Sequence, residues 1–146
     1  MSDKTKSEES ISFLLAQICK AHRDRVEVSL AAFGLHAGQD KFLWHLWQQD
    51  GLTQSELAGS MCVQPPTVNK MLSRMESAGL VERRVDAEDN RISRVFLTEH
   101  SRQLQQAVEP AWSALEAQTV ANLSDDEQGV LRRLLAQVYQ NLTAKS

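Results

Sequence analysis

Gln64-Pro65-Pro66-Thr67-Val68-Asn69-Lys70-Met71-Leu72-Ser73-Arg74-Met75-Glu76-Ser77-Ala78-Gly79 has the marks of a helix with a defined start, a defined end and two unlike faces. Pro65 and Pro66 lack an N–H, a loss that is harmless in a first helical turn, where that donor has no intrahelical acceptor. Val68, Met71, Leu72 and Met75 fall at i, i+3, i+4 and i+7, so they share one face, and Gly79 closes the helix. Pro66, Lys70 and Ser73 lie opposite that stripe, flanked by Thr67, Asn69 and Arg74. The outer face is short-chained, polar and basic, and carries no glutamate.

On the C-terminal side, Leu80-Val81-Glu82-Arg83 and Ser93-Arg94-Val95-Phe96-Leu97 are short β-prone runs. The residues between them, Val85 to Arg91, are polar and rich in turn formers, so the pair reads as a two-stranded hairpin with a charged tip. On the N-terminal side, Thr53-Gln54-Ser55-Glu56 has the spacing of a capping box and opens a short helix to about Ser60. Before it, a helix bearing Phe42, Leu43, Leu46 and Trp47 ends at the Asp50-Gly51 turn. The chain begins with a long helix whose stripe is Ile11, Leu14, Leu15, Ile18, His22 and Val26, ending near Gly34. After the hairpin, Thr98 caps a helix striped with Leu104, Ala107, Val108, Ala111, Trp112 and Leu115, which Pro110 is expected to bend. A second capping box, Ser124-Asp125-Asp126-Glu127, starts the last helix, with Val130, Leu131, Leu134, Leu135, Val138 and Leu142 along one side.

The 146 residues, 42% apolar and 24% charged with 6 Gly and 3 Pro, suit one folded unit with helical extensions rather than a disordered or multidomain chain. No apolar run is long enough for a membrane span, and Met1–Ser10 lacks the basic start and apolar core of a secretory signal, which predicts a cytoplasmic protein. Cys19 and Cys62 are too far apart for a metal or redox CxxC pair, so reduced thiols are expected. The net charge of −3 is not that of an overtly nucleic-acid-binding chain, but its distribution is uneven. Between Val63 and Arg94 six bases (Lys70, Arg74, Arg83, Arg84, Arg91, Arg94) face five acids (Glu76, Glu82, Asp86, Glu88, Asp89), whereas ten bases face fourteen acids elsewhere.

Three helices followed by a ribbon, the third helix polar and basic outside, is the order of a winged helix-turn-helix. A helix of that width fits the DNA major groove while the hairpin tip reaches the neighbouring minor groove. The chain also resembles a known family. Asp50-Gly51-Leu52-Thr53-Gln54-Ser55-Glu56-Leu57-Ala58, Pro66-Thr67-Val68, Leu72 through Arg83, Asp89-Asn90-Arg91 and Leu97-Thr98-Glu99 are similar to the MarR family of bacterial transcriptional regulators, in order along the whole chain. It departs at His100-Ser101, where many members carry a Lys-Gly or similar pair. The resemblance implies a homodimer built from the first, fifth and sixth helices, bound to a pseudo-palindromic double-stranded operator and usually repressing transcription. The expected layout is a mainly α protein: dimerisation helix 1–34, winged helix-turn-helix lobe 35–98 and dimerisation helices 99–146. Long apolar stripes at both ends, with the lobe between them, independently favour a second chain as their cover.

The expected DNA contacts are Gln64, Pro66, Thr67, Asn69, Lys70, Ser73 and Arg74, unless this is an ordinary exposed helix face, and Arg91 in the minor groove, where negative potential is concentrated. Asp89 would repel phosphate if free, so its expected part is to orient a nearby arginine. Trp44 points off its own stripe. With His22 and Arg25 it is a candidate lining for a small aromatic acidic effector of the kind the family often binds between its lobes; packing at a lobe junction is the alternative. Cys19 invites comparison with the family's peroxide-sensing branch, but the sensing position there aligns with Ser12, so a buried inert thiol is expected. Cys62 shows no partner. His22, His36, His45 and His100 are scattered singly, no metal or cofactor is expected, and no catalytic motif is present. A winged helix turned to protein docking remains the alternative class; it would carry apolar or acidic residues where Lys70, Arg74 and Arg91 stand.

Overall fold

The computed structural model describes residues 9–61 and 63–144; the Cys62 reading and most of the polar leader lie outside them. Among the described residues six helices and three strands run in the order α1 (Ile11–Ala31), α2 (Gln39–Gln48), β1 (Leu52–Thr53), α3 (Gln54–Met61), α4 (Pro65–Ser77), β2 (Val81–Val85), β3 (Ser93–Leu97), α5 (Glu99–Thr119) and α6 (Asp125–Thr143). The mainly α fold with a winged helix-turn-helix lobe is as the sequence indicates. The sheet, however, has three antiparallel strands in the order β1-β3-β2, where a two-stranded hairpin was expected. Leu52 and Thr53 pair with Val95 and Arg94, so the segment just before α3 forms the third strand. Val85 also differs from expectation: it pairs with Ser93 as the last residue of β2 instead of opening the loop.

Four of these helices start at a side-chain cap, whereas α2 follows Gly38 and α4 follows Gln64 without one. Ser10 accepts from Phe13 N–H, Thr53 from Glu56 N–H, Thr98 from Ser101 N–H, and Ser124 with Glu127 forms the reciprocal capping box. Phe42, Leu43, Leu46, Leu57, Val68, Leu72, Met75, Leu80, Val81 and Val95 make the centre of the lobe, all buried. Leu30, Leu104 and Val108 belong to the same cluster, so the C-terminal end of α1 and the first half of α5 are packed onto the lobe. Two indoles cross-tie this seam. Trp47 of α2 donates to the Ser101 carbonyl of α5 at 3.0 Å, and Trp112 of α5 donates to Asp40 of α2 at 3.0 Å, with the rings edge-to-face at 5.7 Å.

The seam also accommodates the departure at His100-Ser101. Ser101 is fully buried and its hydroxyl donates to the Leu80 carbonyl, so the position serves as a polar tie between the start of α5 and the start of β2. Gly51 is required at the α2–β1 corner. Its φ is +76°, and a Cβ there would meet Phe96 Cε1 at 3.0 Å. Gly51→Ala is expected to destabilise the protein by about 1–2 kcal/mol in thermal or urea unfolding, combining left-handed strain with the shift forced on Phe96.

The terminal helices are different. Ile11, Leu14 and Ile18 of α1 and Val130, Leu131, Leu134, Leu135 and Leu142 of α6 are all exposed, and α6 buries none of its residues. No helix among the described residues is long and apolar enough to cross a membrane.

Candidate nucleic-acid interface

The buried stripe of α4 is Val68, Leu72 and Met75, and this fixes the opposite face outward. Gln64, whose side chain makes no cap, stands at the helix start; Pro66, Thr67, Asn69, Lys70 and Arg74 are exposed and Ser73 is half-buried. Lys70 and Arg74 engage no carboxylate among the described residues, so their charges face solvent. Asn69 and Ser73 are not loose in the same way. Arg83 of β2 donates to Asn69 Oδ1 at 2.7 Å and to Ser73 Oγ at 2.9 Å, and pairs with Glu76 Oε1 at 3.2 Å. Glu76 also accepts the Arg83 N–H at 3.1 Å, and these bonds hold its carboxyl below the ordinary range. The ribbon is thereby fastened to the outer edge of α4.

The loop between β2 and β3 is organised by two carboxylates. Asp86 accepts from Arg94 Nε at 2.7 Å and from the N–H groups of Glu88 and Asp89 at 3.2 and 3.1 Å, which lowers its pKa, the arginine contributing most. Asp89 receives the Arg91 N–H at 3.0 Å and grips the guanidinium with both oxygens at 3.1 Å, and its pKa is lowered by that side-chain bond first. The Arg91 side chain is nonetheless 90% exposed. It is a cation held at a fixed angle on the tip of the wing. Arg94, by contrast, is turned inward to Asp86 and the Gly51 carbonyl, and Arg84 lies over the Phe96 ring at 4.5 Å.

Arg83, Asp86 and Arg94 were not singled out from sequence. Their parts depend on strand register, which brings Arg83 beside α4 and Arg94 opposite Arg84.

His22, Arg25 and Trp44 are exposed in the protomer. Among the described residues no hydrogen bond, ion pair or ring contact joins Trp44 to the other two; its ring meets His45 edge-on at 4.9 Å. Cys19 is exposed on α1, which corrects the expectation of a buried thiol. The reason is that among the described residues little packs over this side of α1, and its neighbours Leu14 and Ile18 are exposed as well.

The MarR family profile matches residues 35–93, the stretch from the end of the α1 turn to the first residue of β3. The HTH-type transcriptional repressor Rv2887 of Mycobacterium tuberculosis is 30% identical over 125 residues, covering 86% of this chain and 90% of that protein. Among solved structures, the S. aureus MepR–DNA complex superposes with a TM-score of 0.83 at 28% identity, covering 93% of this chain and 99% of that one. A mutant of E. coli MarR complexed with operator DNA gives 0.82 at 26% identity over 88% and 92% of the two chains. A lobe with an outward basic helix, a braced wing and relatives of this kind identifies the chain as a member of the MarR family, a DNA-binding transcriptional regulator and not an enzyme.

Proposed function

We propose that the protein is a homodimeric repressor that binds a pseudo-palindromic operator, with one α4 in the major groove of each half-site and each wing tip in the adjacent minor groove. The observation that carries this reading is the junction at Arg83: the ribbon bearing Arg91 is fastened beside the face that bears Lys70 and Arg74, so both can address one duplex. Gln64, Pro66, Thr67 and Asn69 complete that face, with Ser73 behind them. Segments 1–34 and 99–146 supply the dimerising part, supported by the exposed apolar residues of α1 and α6. Repression is supported by the name of the Mycobacterium relative. Release by a small aromatic acid is supported by Trp44, a large ring left 46% exposed, with Arg25 and His22 on the exposed side of α1.

The test is a gel-shift titration, over a range of salt, with the DNA upstream of the protein's own coding sequence. Affinity should fall linearly on a log–log plot against salt, as counterions are released from the phosphates. Arg91→Ala should weaken binding roughly tenfold per half-site without lowering the melting temperature. Absence of binding, or binding that Arg91→Ala leaves unchanged at every salt concentration, overturns the assignment.

A further inference from the structure

Asn69 and Ser73 stand one turn apart on α4, and a single guanidinium holds both, through Nη1 to Asn69 Oδ1 and Nη2 to Ser73 Oγ. A guanidinium carries five donors and no acceptor. The Asn69 atom that faces Arg83 is therefore the carbonyl oxygen on chemical grounds, since a flipped amide would set donor against donor. Ser73 Oγ likewise accepts from Arg83, and it directs its one proton to the Asn69 main-chain carbonyl at 2.9 Å. Arg83 is itself held by Glu76, and its side chain is only 21% exposed.

We propose that Arg83 is a positioning residue for sequence readout: it fixes the polarity of Asn69, so that α4 offers the major groove an amide donor there without the matching acceptor. This rests on the reading of α4 as the DNA-reading helix. An asparagine that recognises adenine uses both ends of its amide, the oxygen accepting from N6 and the nitrogen donating to N7. Oδ1 keeps a second lone pair, but its bond to Arg83 turns it toward the ribbon, so the in-plane pair of contacts that adenine requires loses its acceptor half and the adenine N6 amino group meets the amide donor instead. The Asn69 amino group is still matched by guanine N7 and O6. Lys70 and Arg74 are donors only, so the same strip of α4 favours acceptor edges throughout. Ser73, with its proton used internally, acts as a strut behind Asn69.

The experiment selects binding sites from a duplex library randomised across two half-sites, using wild type, Arg83→Met, Asn69→Ala and Asn69→Asp, with the thermal melt of each variant recorded. At one position per half-site wild type should prefer guanine over adenine, by on the order of tenfold. Asn69→Ala should flatten that position alone. Arg83→Met should raise adenine there by on the order of tenfold, while overall affinity falls because the ribbon is no longer fastened to α4. Asn69→Asp keeps an acceptor toward Arg83 but turns an oxygen outward, and should select against guanine. Arg83→Met with wild-type preferences at every position overturns the proposal. Should Arg83→Met not fold, Asn69→Ala or Asn69→Asp that retains the guanine preference overturns it equally. A wild-type protein that enriches no sequence at all overturns the DNA-reading face itself, which is a separate failure.

Discussion

Leu134→Glu is expected to yield a protein that sediments as a monomer and holds an operator about a hundredfold or more weakly, the scale of the effective concentration lost when two linked half-site contacts become independent. Leu134 is 48% exposed in the protomer and lies with Val130, Leu131 and Leu135, which the other described residues also leave exposed. A charge there costs the isolated protomer little, because water already reaches the site. In a dimer the same carboxylate would be stripped of water against an apolar surface, a penalty of several kcal/mol unless it finds a partner. Analytical ultracentrifugation and the gel shift read the two effects together. A dimer with unchanged operator affinity would place the interface elsewhere. Since each lobe keeps its own core, the circular dichroism of the monomer should remain largely helical.

The second large effect is on stability. Phe42→Ala removes a fully buried ring from the centre of the lobe, where Leu46, Leu57, Val68 and Met75 are also nearly or wholly inaccessible. Loss of transfer free energy and the cavity left behind together cost about 3–5 kcal/mol. Against a total stability of about 5–15 kcal/mol this removes a large share. The melting temperature should drop by about 10 °C or more. Lys70→Ala serves as the control, since Lys70 is exposed and its replacement should leave the melt unchanged. A Phe42→Ala protein that melts within a degree or two of wild type would mean that α2 is not packed as described.

What the sequence made legible was whatever leaves a period or a cap. The Val68–Met75 stripe, the paired prolines before it, Thr53, Thr98 and the Ser124–Glu127 box all located their elements because each acts within a few residues along the chain. Leu52-Thr53 was not legible as a strand: two residues are too few to show alternation, and their pairing with β3 depends on a partner some forty residues away. The bracing of the site failed to show for a related reason. Arg83 sits in a charged ribbon and reads as a solvated residue until strand register sets it against Asn69 and Ser73. Asp89 and Arg91, two residues apart, were close enough for their pairing to be anticipated. Cys19 shows the opposite limit. A helical stripe marks which side of α1 is apolar, but does not reveal that the other described residues leave it exposed.

The two indole bonds across the α2–α5 seam have a mechanical consequence. Each helix donates to the other, so neither can slide or roll against its neighbour without breaking a bond of its own and one of its partner's. The lobe and α5 as far as Trp112 therefore turn as one piece. α5 has 21 residues, and at about 1.5 Å per residue it is a lever roughly 30 Å long. With the fulcrum at the far end, near the start of α6, each degree of rotation carries the lobe through about half an ångström. In a dimer joined through the terminal helices, a few degrees at the joint would open or close the gap between the two α4 helices by ångströms, enough to put them in or out of step with successive turns of DNA. In such a dimer the tryptophans would be the clamp of a gear train, with its gain set by the length of one helix.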